Sequence, residues 1–471
     1  MNVTDPIHLF RQSAKRWPLR AALQVEGRTI TYQELDAWSN AIAHRVIGQG
    51  HAGERIAFVA RKEAPSYAAI LGIMKAGSAY VPLPPDGPTT RWTTMLQRAG
   101  VRALVGREEV DDLDGIDGGE QGTHAPPDMP TNGEAYVLFT SGSTGGPKGV
   151  SVGRANVAAY LEHQLAVNEF HSTDRFSQFF ALTFDLSVHD LFVCWAVGGC
   201  LCVPTPSELM GAASYAREAG ITVWFSVPSL VVLQQRLRTL NEGALPDVRI
   251  ALFCGESLTW SVLRAFTTAA PKARLINLYG PTEATIAIAA YEADRGSLGQ
   301  EGVVPIGRTF RSTDGRIAGE ELELCGPQLA RGYVGDQEAT DRAFRVEQGV
   351  RWYRTGDRVR MDDQDVLHFL GRTDDQLKIM GHRVEPAEVD AALAPLLGGT
   401  PVITLPREEG GAVRLYTFVQ GVVDQPALMN ELRRVLPSYM LPERILQVDR
   451  MPMTAHGKLD RRALLEQVEH G

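Results

Sequence analysis

The sequence predicts an α/β protein in two parts: a large N-terminal domain of layered α/β subdomains over residues 1–373 and a small α+β domain over 374–471. Three observations lead there. Strand-like and helix-like segments alternate through most of the chain up to residue 370, the pattern of helices laid on largely parallel sheets. A polar break, "GRTDD" at 371–375, then separates that pattern from a shorter mixed region. A length of 471 residues is also more than one small core accommodates.

The elements follow in order. "GRTITY" (27–32) reads as a strand, and Thr31 with Glu34 forms a capping box for the helix after it. That helix places Leu35, Trp38, Ile42 and Val46 on one apolar face. "RIAFVA", "PSYAAILGIMKAG" and "AYVPL" (55–83) repeat strand, helix, strand. "GITVWFSVPS", "VRIALFCGE" and "ARLINLYG" (220–280) read as buried strands, each with a helix expected behind it. Residues 105–133 are acidic, poor in apolar side chains and dotted with Gly and Pro, which predicts a surface loop. Beyond the break, "QLKIMG", "TPVITL", "RLYTFVQ" and "RILQV" are strands, with helices over "AEVDAALAPLL" and "PALMNELRRVL".

Composition excludes several classes. Hydrophobic content of 44% with 22% charged residues is that of a globular protein. A net charge of −9 argues against nucleic acid as a partner, while leaving room for ATP in a local pocket. The five cysteines have no zinc-site spacing, and their odd number argues against a disulfide framework. The N-terminus "MNVTDPIHLFRQSAKRWP" has no apolar core of signal-peptide length and no apolar run reaches membrane-spanning length, so no membrane insertion and a cytoplasmic location are expected.

The stretch "YVLFTSGSTGGPKGVSV" (136–152) places a glycine-rich loop between two strands. Its glycines bring backbone N–H groups close to a ligand, Thr140, Ser141, Ser143 and Thr144 add hydroxyl groups, and Lys148 adds a cation. That chemistry suits phosphate. A solvent-exposed Gly/Ser turn is the plain alternative. A Walker loop is not, because Lys148 follows proline, precedes glycine and leads into a strand.

Four further motifs occur in order: "NLYGPTEATI" (277–286), "YRTGD" (353–357), "GRTDDQLKIMGHRVEP" (371–386) and "HGKLDR" (456–461). Together with "TSGSTGGPKG" they resemble the adenylate-forming superfamily, which holds acyl-CoA synthetases, luciferases and the adenylation domains of non-ribosomal peptide synthesis. The resemblance runs from about residue 10 to 465. It implies ATP and Mg²⁺, and a carboxylate joined to the α-phosphate before transfer to a thiol. By the same resemblance Thr140, Ser141, Gly142, Ser143, Thr144 and Lys148 meet the β- and γ-phosphates, Thr282 the α-phosphate, and Glu283 the metal. Asn277 and Tyr279 fall to the adenine, Asp357 with Arg372 to the ribose, and Gly255 is a further nucleotide-binding position. Lys458 bridges the substrate carboxylate and the α-phosphate, although a lone lysine so near the end otherwise reads as a solvated charge. Asp374 falls at the junction about which the family's small, mobile domain turns.

In "FFALTFDLSVHDLF" (179–192) Asp185 stands among apolar residues, where a carboxylate needs a cation. It also suits a helix N-cap. In amino-acid-activating members of the family an aspartate here binds the α-ammonium group. The remaining pocket positions map to Leu186, His189, Phe225, Leu252, Cys254, Leu278, Ile286 and Ala287, a mainly apolar set that implies a small neutral side chain. "ALFCGESL" and "FDLSVHDLF" look most like stand-alone ligases that load D-alanine, or proline, onto a carrier protein. In the D-alanine enzymes a cysteine at the place of Cys254 packs against the substrate α-carbon. His189 departs from the apolar residue expected in them and reads by default as a satisfied core histidine. With only a short tail after Lys458, the expected acceptor is a phosphopantetheine arm on a separate carrier protein, or coenzyme A. The rival readings are an acyl-CoA synthetase and a catalytically silent nucleotide-binding module.

Overall fold

The computed structural model describes residues 5–105, 124–127, 129, 133–142, 146–409, 412–454 and 459–469. These fall into two compact units, with the main division between Thr373 and Asp374. The second unit also takes in Asp86–Gln97 and Phe139–Lys148. Most of the acidic 105–133 segment lies outside the described residues.

The first unit is a layered α/β body. Its nine-stranded sheet runs Arg308–Thr309, Ala289–Ala293, Arg274–Tyr279, Ile250–Phe253, Val223–Ser226, Arg175–Ser177, Cys200–Val203, Ala21–Val25, Arg28–Thr31. The six strands from Arg274–Tyr279 to Ala21–Val25 are mutually parallel, and an antiparallel strand follows at each end of that run. A six-stranded sheet contains Arg55–Val59 parallel to Ala79–Leu83, joined through the helix Ala64–Lys75. The helix Tyr32–Gly48 opens on the expected capping box: Thr31 N–H donates to the Glu34 carboxylate (2.7 Å), and Glu34 N–H donates to the Thr31 hydroxyl (3.2 Å). Its Leu35, Trp38, Ile42 and Val46 are all buried.

One expectation fails. Arg274–Tyr279 is followed by a single 3₁₀ turn, Thr282–Ala284, and then by the antiparallel strand Ala289–Ala293, with no helix. Gly280 makes the reversal possible, since a Cβ there would stand 2.5 Å from the Ala287 Cα.

In the second unit Val402–Glu409, Ala412–Gln420 and Arg444–Val448 form a sheet. Helices Pro386–Leu393 and Gln425–Val435 supply Val389, Leu393, Leu428 and Leu432 to a core shared with Leu415 and Val419. The spacing of four between each helical pair puts both members on one face.

Candidate active site

In the first unit, the strands Ile250–Phe253 and Arg274–Tyr279 end side by side and release Cys254-Gly255 and Gly280 to Glu283. These are carboxyl ends of parallel strands, the edge of an open α/β sheet at which ligands bind. Alternation along the strands sorts their side chains. Phe225, Leu252, Cys254 and Leu278 join one buried cluster, whereas Trp224, Ala251, Phe253 and Leu275 join the cluster on the opposite face. Four residues expected at the substrate pocket therefore share a face, and Phe225 pairs in register with Leu252.

The helix Leu186–Val197 packs on that face, with the His189 ring 4.7 Å from Phe225 in an edge-on contact. Asp185 stands at the head of this helix, 3% exposed. Its side chain makes no capping hydrogen bond, so the N-cap position is held without N-cap chemistry. Lys62 ties down the chain after the strand Arg175–Ser177, its amine donating to the carbonyls of Gln178 (3.0 Å) and Phe179 (2.9 Å). Burial pulls that amine down to about 7, against the pull of Asp190. The same burial raises Asp190 well above the usual carboxylate range.

Ile286 and Ala287 reach the site through a strained turn. Thr285 (φ 55°) and Ile286 (φ 73°) both lie in the left-handed region, which β-branched residues avoid. Gln328 holds them there: its amide nitrogen faces the carbonyls of Ala287 (2.6 Å), Ala284 (3.3 Å) and Thr285 (3.3 Å), and its own backbone carbonyl accepts from the Thr285 hydroxyl (2.6 Å). Left-handed φ at two such residues costs about 1–3 kcal/mol each, so the clamp is needed to hold the turn. Gln328→Ala is expected to destabilise the protein by about 1–3 kcal/mol through the carbonyls it leaves unsatisfied. A urea titration that leaves the midpoint unmoved would contradict this.

Glu283, fully buried, follows Thr282 in the 3₁₀ turn and accepts from the Tyr333 hydroxyl at 2.7 Å. At the end of Arg274–Tyr279, Tyr279 donates its hydroxyl to Asp357, which also accepts from Arg372 Nη1 at 2.5 Å. Burial and the Asp357 charge keep the Tyr279 phenol protonated. Each Asp357 oxygen retains lone-pair capacity for a further donor. Asn277 commits its Nδ2 to the Pro305 carbonyl (2.8 Å), leaving its Oδ1 to meet another group. Gly255 turns the chain after Cys254 at φ 92°, a conformation that favours glycine. The first unit thus gathers Asp185, Leu186, His189, Phe225, Leu252, Cys254, Leu278, Ile286 and Ala287 into one buried region, with Thr282, Glu283, Asn277 and Tyr279 on the adjoining strand and turn.

The glycine-rich loop does join two strands, Glu134–Thr140 and Lys148–Gly153. Within the second unit, the Ser141 hydroxyl donates to the Arg383 carbonyl (2.7 Å), and Gly142 N–H donates to the Glu388 carboxylate (3.2 Å). Arg91 pairs with the same carboxylate at 2.6 Å. The Gly142 N–H thus meets an anionic group, a contact of the kind a glycine-rich loop can make. Ser143, Thr144 and Lys458 lie outside the described residues. Sequence reading missed Tyr160, Gln328 and Tyr333, which act on the site from distant stretches and belong to no local motif. Among the described residues, no group of three or more His, Cys, Asp or Glu side chains could hold a metal, and no helix is long and apolar enough to cross a membrane.

The chain is similar to known proteins over nearly all of its length. The AMP-binding enzyme family matches residues 10–334. The AMB antimetabolite synthetase AmbB of Pseudomonas aeruginosa is 36% identical over 97% of this chain and 38% of its own length. Tyrocidine synthase 1 of Brevibacillus parabrevis is 30% identical over 97% of this chain and 44% of its own. The chain therefore spans less than half the length of these curated relatives. Among solved structures, the Vibrio cholerae adenylation domain AlmE, in complex with glycyl-adenosine-5'-phosphate, has a TM-score of 0.88 at 27% identity, covering 100% of this chain and 98% of that one. IdnL7 matches at 32% identity and a TM-score of 0.71, with both chains covered in full at 100%.

Proposed function

Because the chain belongs to the AMP-binding enzyme family, we propose that it activates a small neutral amino acid as the aminoacyl adenylate and passes it to the phosphopantetheine thiol of a separate carrier protein. The observation that carries this reading is Asp185. A buried carboxylate at the head of a helix, its side chain not spent on capping that helix, suits an α-ammonium group as counter-charge. The glycyl adenylate held by AlmE supports a small substrate.

The chemistry follows from the parts. With its ammonium on Asp185, the amino acid presents its carboxylate to the α-phosphate of ATP. One carboxylate oxygen attacks phosphorus, the bond to the β-phosphate oxygen breaks, and pyrophosphate leaves with the electron pair. Both partners are anions, so the transition state needs positive charge and hydrogen-bond donors. Lys458, the Thr282 hydroxyl and, for the terminal phosphates, Lys148 with the loop amides are the groups that supply them. Asp357 accepts from the ribose hydroxyls, and Tyr279 offers its ring to adenine while its hydroxyl steadies Asp357. Glu283, a fully buried acidic oxygen donor beside Thr282, fits Mg²⁺, a hard cation held by one or two carboxylates together with substrate phosphates. Mg²⁺ would neutralise phosphate charge; Tyr333 orients the Glu283 carboxylate toward that task. In the second half-reaction the thiol attacks the acyl carbon and AMP leaves.

Loading assays test this reading. Labelled amino acid is expected on a phosphopantetheinylated carrier in preference to coenzyme A. Transfer to coenzyme A alone, or activation of fatty or aryl acids in place of amino acids, would favour the acyl-CoA synthetase reading. A silent nucleotide-binding module would give neither.

Cys254, small and buried at the end of its strand, is the wall proposed to separate hydrogen from side chain at the α-carbon. Cys254→Ala is expected to relax discrimination between enantiomers or between alanine and larger residues by about 1–3 kcal/mol, the worth of a methylene-sized difference. Exchange-rate ratios for D- and L-alanine, serine and proline measure it. Unchanged ratios would make the cysteine ordinary core.

A further inference from the structure

His189 is fully buried one helical turn after Asp185, and its two ring nitrogens are treated differently. Nδ1 stands 2.7 Å from the hydroxyl of Tyr160, on the helix Arg154–Val167. Nε2 has no hydrogen-bond partner among the described residues. Tautomer and donor direction follow from counting protons. Burial holds the Tyr160 phenol protonated, with Cys254, Asp190 and Asp185 near enough to oppose its ionisation further. Burial also pulls the imidazole down to about 3, so it is neutral at physiological pH. The Tyr160 hydroxyl has no other hydrogen-bond partner among the described residues, so its hydrogen goes to Nδ1. A neutral imidazole that accepts at Nδ1 carries its own proton on Nε2. His189, packed against Phe225 of the substrate face, therefore carries a buried N–H donor with no acceptor among the described residues, which is costly to leave unmade. The rings around it, Phe225 at 4.7 Å and Phe170 at 6.3 Å, both meet it edge-on and offer no acceptor.

We propose that the activated amino acid carries a neutral oxygen acceptor on its side chain, a hydroxyl, ether or carbonyl, which accepts a hydrogen bond from His189 Nε2–H. Tyr160 is the positioning residue that fixes the tautomer. The absence of charged side chains among Phe225, Leu252, Leu278 and Ile286 sets the oxygen as neutral, since a carboxylate there would have no counter-charge. This inference rests on the amino-acid reading above and narrows its substrate class.

Pyrophosphate exchange with near-isosteric pairs tests it: serine against 2-aminobutyrate, threonine against valine, and O-methylserine against norvaline, each as both enantiomers. The wild-type kcat/KM is expected to favour the oxygen member of the best pair by at least ~10-fold, because a site built to hydrogen-bond its substrate rejects the analogue that cannot. His189→Leu is expected to bring that ratio to about one or below, and Tyr160→Phe to lower it severalfold by freeing the other tautomer. Each ratio compares two substrates on one enzyme, so partial loss of folding in a variant cancels. A wild-type ratio at or below one in every pair, with exchange present, overturns this inference and leaves amino acid activation standing. Ratios unmoved in both variants overturn it as well. No exchange with any amino acid, L or D, overturns the amino-acid reading itself.

Discussion

Asp185→Asn is expected to cut amino-acid-dependent pyrophosphate exchange by about 10²- to 10³-fold, since removing one partner of a buried charge pair costs about 3–5 kcal/mol. The side chain is isosteric and makes no capping bond to the helix Leu186–Val197, so the fold has little reason to change. The loss is expected in KM for the amino acid, with the KM for ATP nearly unchanged, because Asp185 is assigned to the ammonium group alone. Thermal melting run beside the kinetics separates the two explanations. A variant that melts normally and exchanges normally would remove Asp185 from substrate binding.

Lys458→Ala is expected to lower adenylate formation by about 10²- to 10³-fold or more while sparing ATP affinity, the range observed when one transition-state donor is removed. The assignment comes from its place in "HGKLDR". Equilibrium binding of ATP supplies the necessary contrast: binding retained with exchange lost indicates transition-state charge. Near-normal exchange would take the lysine out of the first half-reaction.

Local patterns in the sequence carried much of the fold. The capping box at Thr31 and Glu34, the strand–helix–strand run over 55–83 and the period-two strands near 223–279 each depend on residues close in sequence, and all form as expected. The pocket positions came from the family resemblance, and the folded strands put Phe225, Leu252, Cys254 and Leu278 in one buried cluster. Long-range effects were not legible. The helix expected after Arg274–Tyr279 gives way to a hairpin, a choice made by close packing of Gly280 on Ala287 and by Gln328 gripping a turn more than forty positions earlier in the chain. Asp86–Gln97 and Phe139–Lys148 join the C-terminal residues through pairs such as Arg91 with Glu388, separated by hundreds of residues in sequence. Tyr160 stands in an unremarkable helical stretch, and only the folded chain brings it to His189.

ATP–pyrophosphate exchange screened over all common L- and D-amino acids, with acetate, a long-chain fatty acid and benzoate as controls, tests the central claim most directly. Exchange that depends on one or a few small neutral amino acids, requires Mg²⁺ and is absent with the amine-free acids is the predicted result. Exchange driven by the amine-free acids, or none with any amino acid, would contradict the assignment of this site to amino acid activation.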